Sequence, residues 1–244
     1  MIEIGPLAAI KWELLAWSPP GWGGNLVWGL FVTFQIALGA YIFGLLLGLG
    51  GAMGKLYGGP ITRTILDGYT TLVRAIPELV LILFLYYAGT DLLNRVLEGL
   101  GYGRITISGL IAGIYVLGFV QGAYSTEVFR GAIQAVSVGQ VEAAKAYGMS
   151  FSLRFRRIIL PAMLPFALPG LANLWLVVTK GTALLAVVGF SELALSTRQA
   201  SGATKQYFLF FMAAGVLYLL LSLASTYVFA LLERSLRRGQ PKLG

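Results

Sequence analysis

The chain has no cysteine and no histidine, and only 11% of its residues are charged. Without cysteine there is no disulfide framework and no soft-metal site. Without histidine as well, zinc sites and His-based catalysis are excluded. Soluble domains carry about 25% charged residues. A chain of 244 residues that is 57% hydrophobic, with mean hydropathy +0.80, has too little polar surface to fold as a soluble globule. It also lacks a Gly-rich loop ending in Gly-Lys-Ser/Thr, so it does not hold nucleotide phosphates by that route. Acidic residues are scarce, ten against eighteen Lys and Arg, which leaves a net charge of +8.

What is present is a series of apolar blocks interrupted by charge. No charged residue lies between Leu14 and Gly54, and about 20 apolar residues span a bilayer. One span is therefore expected at about 24–53. The preceding segment, 1–23, carries Pro19-Pro20 and Trp12, Trp17 and Trp22, residues suited to the headgroup level. A cleaved signal peptide is not expected, because Glu3 replaces a basic n-region and the first apolar run exceeds an h-region. A helix starting after Glu78 and ending near Gly89 would be only about 17 Å long. The second span is therefore placed at about 65–89, with Glu78 embedded and a kink at Pro77. Further spans are expected at about 107–128, 160–185 and 207–232. The segment from Gly189 to Thr204 holds Glu192 and Arg198 and reads as an outer loop or short helix. Small-xxx-small spacing at Gly44 and Gly48, with Gly39 and Gly51 nearby, suits close helix packing.

The fold class is thus an all-α integral membrane protein with about five transmembrane helices. Five spans put the two ends on opposite sides. One set of loops holds Lys55, Arg63, Arg74, Arg130, Lys145, Arg154, Arg156, Arg157, Arg234, Arg237, Arg238 and Lys242. The other holds Lys11, Arg95, Arg104, Arg198 and Lys205. The richer set is cytoplasmic by the positive-inside rule, so the N-terminus is periplasmic and the C-terminus, with the tail 239–244, cytoplasmic. The positive charge is then a topology signal, with some attraction to anionic membrane lipid, and not a sign of nucleic-acid binding.

One cytoplasmic insert, about 137–159, is unusually polar. Ser137-Val138-Gly139-Gln140 has the Ser-x-x-Gln pattern of a capping box, predicting a helix from Val138. Ala143, Ala144 and Ala146 favour helix and add little bulk, so such a helix can sit deep in a groove. Gly148 suits a turn at positive φ. A second short helix leads to Pro161, with Arg154, Arg156 and Arg157 at the headgroup level. Taken alone, the segment is either a docking surface or a solvated basic loop.

Glu142-Ala143-Ala144, three residues, Gly148, nine residues, then Ile158-x-Leu160-Pro161 is similar to the signature of permease subunits of binding-protein-dependent ABC importers. All seven fixed positions agree. Further segments resemble the polar amino-acid branch: Arg74 to Val80, Ala123 to Ile133, Gly139-Gln140, Leu168-Pro169-Gly170 with Asn173, and Lys180-Gly181-Thr182. Tyr69 to Tyr87 and Leu231 to Arg234 resemble the histidine, lysine–arginine–ornithine and opine permeases. The resemblance runs from about Gly24 to Arg238. One departure follows the signature: Ala162 and Pro165 stand where the branch often has Gln and Arg, which removes a basic residue and adds a possible kink.

The resemblance implies a permease in a bacterial inner membrane that imports polar, basic amino acids or opines and alternates between inward- and outward-open. It implies a separate ABC ATPase dimer that binds the ATP, a second permease (a paralogue or a copy of itself) and a periplasmic solute-binding protein. Gly139, Gln140, Glu142, Ala143, Ala144, Gly148 and Met149 would form the coupling helix that docks on the ATPase. Arg74, Glu78, Asn173 and Lys180 are the candidates for the solute pathway, because charge inside a span is costly and functional by default. Arg74 and Glu78, four apart, either pair with each other or leave Glu78 to attract a cationic solute. Lys180 either snorkels to the outer interface or meets a carboxylate. Asn173 is expected to bridge helices, and Glu127 with Arg130 to form a structural pair. The alternative is a self-contained ion-coupled secondary transporter. Such folds are built from two related halves, and five spans with one unmatched insert do not divide that way. A membrane enzyme would need a convergent catalytic set that this composition does not supply.

Overall fold

The computed structural model describes residues 11–105 and 107–236. Glu3, Arg237, Arg238, Lys242 and the tail 239–244 lie outside the described residues. A 3₁₀ turn at Trp12–Leu15 precedes α1 (Gly23–Tyr57). Then follow α2 (Pro60–Ala75), α3 (Glu78–Gly99), α4 (Gly109–Gln134), α5 (Val138–Ala146) and a short α6 (Phe151–Arg154). A π-helical turn at Phe155–Ile159 joins α6 to α7 (Leu160–Gly181), which continues as 3₁₀ helix over Thr182–Val188. The last two elements are α8 (Leu193–Thr204) and α9 (Tyr207–Leu236). Among the described residues five stretches are long and apolar enough to cross a bilayer: α1, α3, α4, the run Phe151–Val188, and α9. Among the described residues there is no strand.

The centre of the bundle is the seam between α1 and α4. A Cβ on Gly44 would lie 2.6 Å from Gln121 Cγ, and one on Gly48 would overlap Ser125. The small-residue pattern therefore does what its spacing predicts: it lets two backbones approach until side chains of one fill the gaps of the other. Tyr41, Trp175 and Phe229 then stack edge to face across α1, α7 and α9, with the first two ring centroids 5.3 Å apart. The Tyr41 hydroxyl donates to the Leu171 carbonyl at 3.0 Å, which satisfies it away from water.

The second span differs from the expectation of one helix over 65–89 kinked at Pro77. The chain breaks there instead. Ile76 is extended, with φ −92° and ψ 138°, the conformation a following proline imposes. Pro77 then caps α3. The spanning helix is Glu78–Gly99, 22 residues or about 33 Å. It gains its length at the outer end, where Arg95 pairs with Asp91 at 2.8 Å and Arg104 with Glu98 at 2.6 Å. Hydropathy under-read that end because those charges pair on the exposed side.

The segment 189–204 becomes α8, packed with the first turns of α1 and α9 around Leu26, Leu193 and Phe210. Its cap is Glu192, fully buried. The carboxylate accepts from the backbone of Ala194 and Leu195, both at 2.9 Å, from Thr33 at 3.2 Å and from Tyr218 at 3.1 Å. One acid thus joins α1, α8 and α9.

Candidate functional site

The polar insert forms the elements its sequence suggests, with one difference. α5 starts at Val138, but the Ser137 side chain makes no cap bond. The turn is closed by backbone instead, Gln140 N–H donating to the Ser137 carbonyl at 3.1 Å. At the other end Gly148 N–H reaches the Lys145 carbonyl at 2.9 Å and Met149 N–H the Ala144 carbonyl at 3.1 Å. With φ +71° at Gly148, this is a Schellman ending, which needs a residue tolerant of the left-handed region. Gly139, Gln140, Glu142, Ala143 and Gly148 are exposed, Met149 is half-buried, and Ala144 is buried against the bundle. Val138 and Tyr147 stand out into solvent, 68% and 86% exposed.

The insert runs into the membrane without a loop after Ser150. α6, the π turn, α7 and the 3₁₀ continuation form one helical run from Phe151 to Val188. Pro161 has no N–H and its ring collides with the carbonyl four residues back in a regular helix. The wide turn at Phe155–Ile159 lies across that point, and π turns admit such residues. Pro165 and Pro169 lie inside α7 and do not end it. Arg154 lies over the Phe151 ring at 5.7 Å, while Arg156 and Arg157 are exposed.

The four pathway candidates do not form one cluster. Arg74 is exposed in the last turn of α2, and the break at Ile76–Pro77 takes Glu78 off its helix face. No ion pair joins them among the described residues. Glu78 opens α3, where the helix end favours a carboxylate, and turns towards α7. A Cβ on Gly181 would lie 3.0 Å from Glu78 Oε1 and 3.9 Å from Leu117 Cδ2. Glu78 therefore sits level with the middle of α4, beside the Lys180–Gly181 peptide. Among the described residues Asn173 bonds to no other helix, where a bridge was expected. It is exposed, as is Lys180 seven residues on, and Phe166, Pro169 and Val177 complete one exposed stripe of α7. An exposed backbone break, an exposed amide and an exposed ammonium in a spanning bundle do not suit lipid.

Sequence reasoning missed a second polar centre. Read from the sequence, Lys55 is only a loop charge, yet it is 7% exposed. Its ammonium bonds Asp67 at 2.8 Å, Thr70 at 2.7 Å and Glu127 at 2.6 Å. Arg130 pairs with Glu127 at 2.9 Å as expected. The hydrogen bond from Lys55 holds the Asp67 carboxyl below the usual carboxylate range. No local signal marks this centre, because Lys55 and Glu127 lie 72 residues apart.

The profile of the family described as binding-protein-dependent transport system inner membrane component matches residues 40–238. The chain is 42% identical over 214 residues to the histidine/lysine/arginine/ornithine transport system permease protein HisQ of Salmonella typhimurium, covering 88% of this chain and 94% of that one. It is 41% identical over 228 residues to the nopaline transport system permease protein NocQ of Agrobacterium fabrum, covering 93% and 97%. The octopine transport system permease protein OccQ of Rhizobium radiobacter is 37% identical over 228 residues, covering 93% and 96%. Among solved structures, an amino acid ABC transporter crystallised with histidines superposes with TM-score 0.73 at 28% identity, over 87% of this chain and 94% of that one. The inward-facing MetNI methionine ABC transporter shares the fold, with TM-score 0.71 at 20% identity, over 90% and 99%.

Proposed function

The chain belongs to the family of binding-protein-dependent transport system inner membrane components, and from that premise we propose that it carries polar, basic amino acids or opines across a bacterial inner membrane. It is a multi-pass permease subunit of an ABC importer, a transport component whose ATPase is a separate subunit and whose solute arrives on a binding protein. Its permease partner is a copy or a paralogue of this chain, seated against the exposed face that holds the Ile76–Pro77 break. The basic solute class rests on the relatives' named substrates and on Glu78.

The observation that carries the mechanism is the unbroken helical run from Phe151 to Val188. α5, with Gly139, Gln140, Glu142, Ala143, Ala144, Gly148 and Met149, docks on the ATPase. Closure of the ATPase dimer, which holds the ATP, moves α5 as a rigid body. The turn at Gly148 passes that movement to the run that carries Asn173 and Lys180 past Glu78. Tilting of that run opens the pathway alternately to each side. Glu78 attracts the cationic side chain of the solute, and Lys180 meets its carboxylate.

The test is uptake by the complex reconstituted in vesicles with its binding protein. A hydrogen bond to a charged group contributes about 1.5–3 kcal/mol, so Glu78→Gln should raise the half-saturating concentration of arginine about ten- to a hundredfold. Uptake of citrulline, which is isosteric but uncharged, should change far less. Gly181→Val, which crowds Glu78, should act in the same direction. Equal kinetics for arginine in wild type and Glu78→Gln would remove Glu78 from the pathway.

A further inference from the structure

The Lys55 centre joins the last turn of α1 to the middle of α2 and to the C-terminal third of α4, apart from both the docking helix and the solute face. All three ammonium protons are engaged, two by α2 through Asp67 and Thr70 and one by Glu127 of α4. Arg130 occupies the second Glu127 oxygen at 2.9 Å and reaches Gln134, the last residue of α4, at 2.9 Å. Arg63 of α2 donates to the Lys55 carbonyl at 3.0 Å. A buried ammonium is costly unless its partners are complete, so these contacts hold or fail together. They fix α2 to α4 at Glu127, eleven residues before α5 begins.

The C-terminal end of α2 lies five residues beyond Thr70. It meets α3 through the extended Ile76 and Pro77, with no helical continuity. α3 itself is lightly held by this chain: two of its 22 residues are buried, against fourteen of the 26 in α4. α2 is therefore clamped to the helix that leads into α5 through Lys55 and through Tyr69, whose hydroxyl donates to the Phe119 carbonyl, and it joins the helix that opens with Glu78 only by the break and by the apolar cluster that Val73 shares with Leu81.

We propose that the Lys55–Asp67–Glu127 node makes α2 a crank, which moves as one body with the docking helix and turns about the Ile76–Pro77 break to reposition Glu78. Lys55, Asp67 and Glu127 are positioning residues for transport and touch neither ATP nor solute. The inference rests on the reading that α5 docks the ATPase and that Glu78 lines the pathway. It adds a second route from ATPase to solute, parallel to the run through α7. Hinges of this kind are a few loop residues that absorb the change between two packed bodies.

The absence of native cysteine makes distance measurement direct. Spin labels are placed on Leu72→Cys with Ala135→Cys, which spans α2 and the end of α4, and on Leu72→Cys with Leu92→Cys, which spans the hinge. All three positions are exposed. Distances are read in the full complex, nucleotide-free and trapped with ATP and vanadate. The first distance should stay constant between states, and the second should change by about 2 Å or more. In Lys55→Met the first distance should broaden, and stimulation of ATP hydrolysis by loaded binding protein should fall about tenfold, with the ATPase still bound. Lys55→Arg should restore part of both. Equal changes in the two distances, or a constant second distance, overturn the proposal, and neither result depends on the variant folding. Unaltered distances and stimulation in Lys55→Met overturn it too. Loss of this inference alone leaves the ATPase docked through Glu142, whereas failure of that docking removes the functional reading on which it rests.

Discussion

Replacement of Glu142 by lysine is expected to release the ATPase from the purified complex and to abolish ATP-driven uptake. Glu142 is exposed on α5, and among the described residues no ion pair or hydrogen bond engages its carboxylate. The permease itself therefore loses nothing when Glu142 changes, and its melting temperature should not move. In the proposed interface with the ATPase the same carboxylate would become a buried partner. Truncating one member of a buried, hydrogen-bonded charge pair costs about 2–5 kcal/mol, and reversing its sign adds repulsion. At 1.4 kcal/mol per factor of ten, docking weakens about thirty- to several-thousandfold. Co-purification of the ATPase and ATP-dependent uptake read the two consequences separately. A Glu142→Lys complex that assembles and transports like wild type would show that α5 does not dock through this face.

The second large effect concerns stability. Glu192→Ala strips the cap from α8 and leaves the amides of Ala194 and Leu195 and the hydroxyls of Thr33 and Tyr218 facing a void. A buried donor without an acceptor costs about 1–3 kcal/mol. Rotation of the two hydroxyls recovers part of the loss, so the expected destabilisation is about 3–5 kcal/mol, a large part of the stability of an ordinary domain. Thermal unfolding in detergent should show it. Glu192→Gln keeps one acceptor at the helix end and should cost much less.

The two variants also differ from wild type in pH dependence. Burial pushes the Glu192 carboxyl above its ordinary range, against the pull of the four donors. The folded chain then keeps a proton that the unfolded chain releases. That contribution is full below the unfolded value near 4.3 and is lost as pH rises through the raised folded value. Wild type should lose stability over that interval, and Glu192→Gln should not. A Glu192→Ala protein as stable as wild type, or the same pH slope in Glu192→Gln, would contradict the role given to this acid.

What could be read in the sequence and what could not divide along contact distance. α5 was legible because everything that defines it is local: a start at Val138, small residues, and Gly148 in the one conformation that ends it. The α1–α4 seam was legible in part, since the glycine spacing announces close approach without naming the partner. The second span was misplaced because its end was read at the charges beyond Gly89, and a proline within an apolar run does not by itself tell a kink from a break. A proline after an extended residue decides that, and paired charges then permit the helix to run on to Gly99. Asn173 was assigned to the bundle interior because its type suits helix bridging, but the phase of α7 turns it outward. Lys55 and Glu192 were illegible for a plainer reason. Lys55 meets Glu127 72 residues away, and Glu192 meets Thr33 159 residues away. No local pattern reports such pairs.

The π turn at Phe155–Ile159 has a consequence for orientation. Each residue of an α-helix advances about 100° around the axis, and a π turn takes in one extra residue within the same helical run. It therefore sets the azimuth of everything before it against everything after it. α6, and α5 through Gly148, point in one direction; Asn173 and Lys180 point in another. Removing one of the five residues would leave a smoother helix and turn the docking segment by about 100° relative to the stripe beyond it. The nine residues between Gly148 and Ile158 are on this view a phase setting, which fixes the bearing of the proposed docking segment as well as its reach.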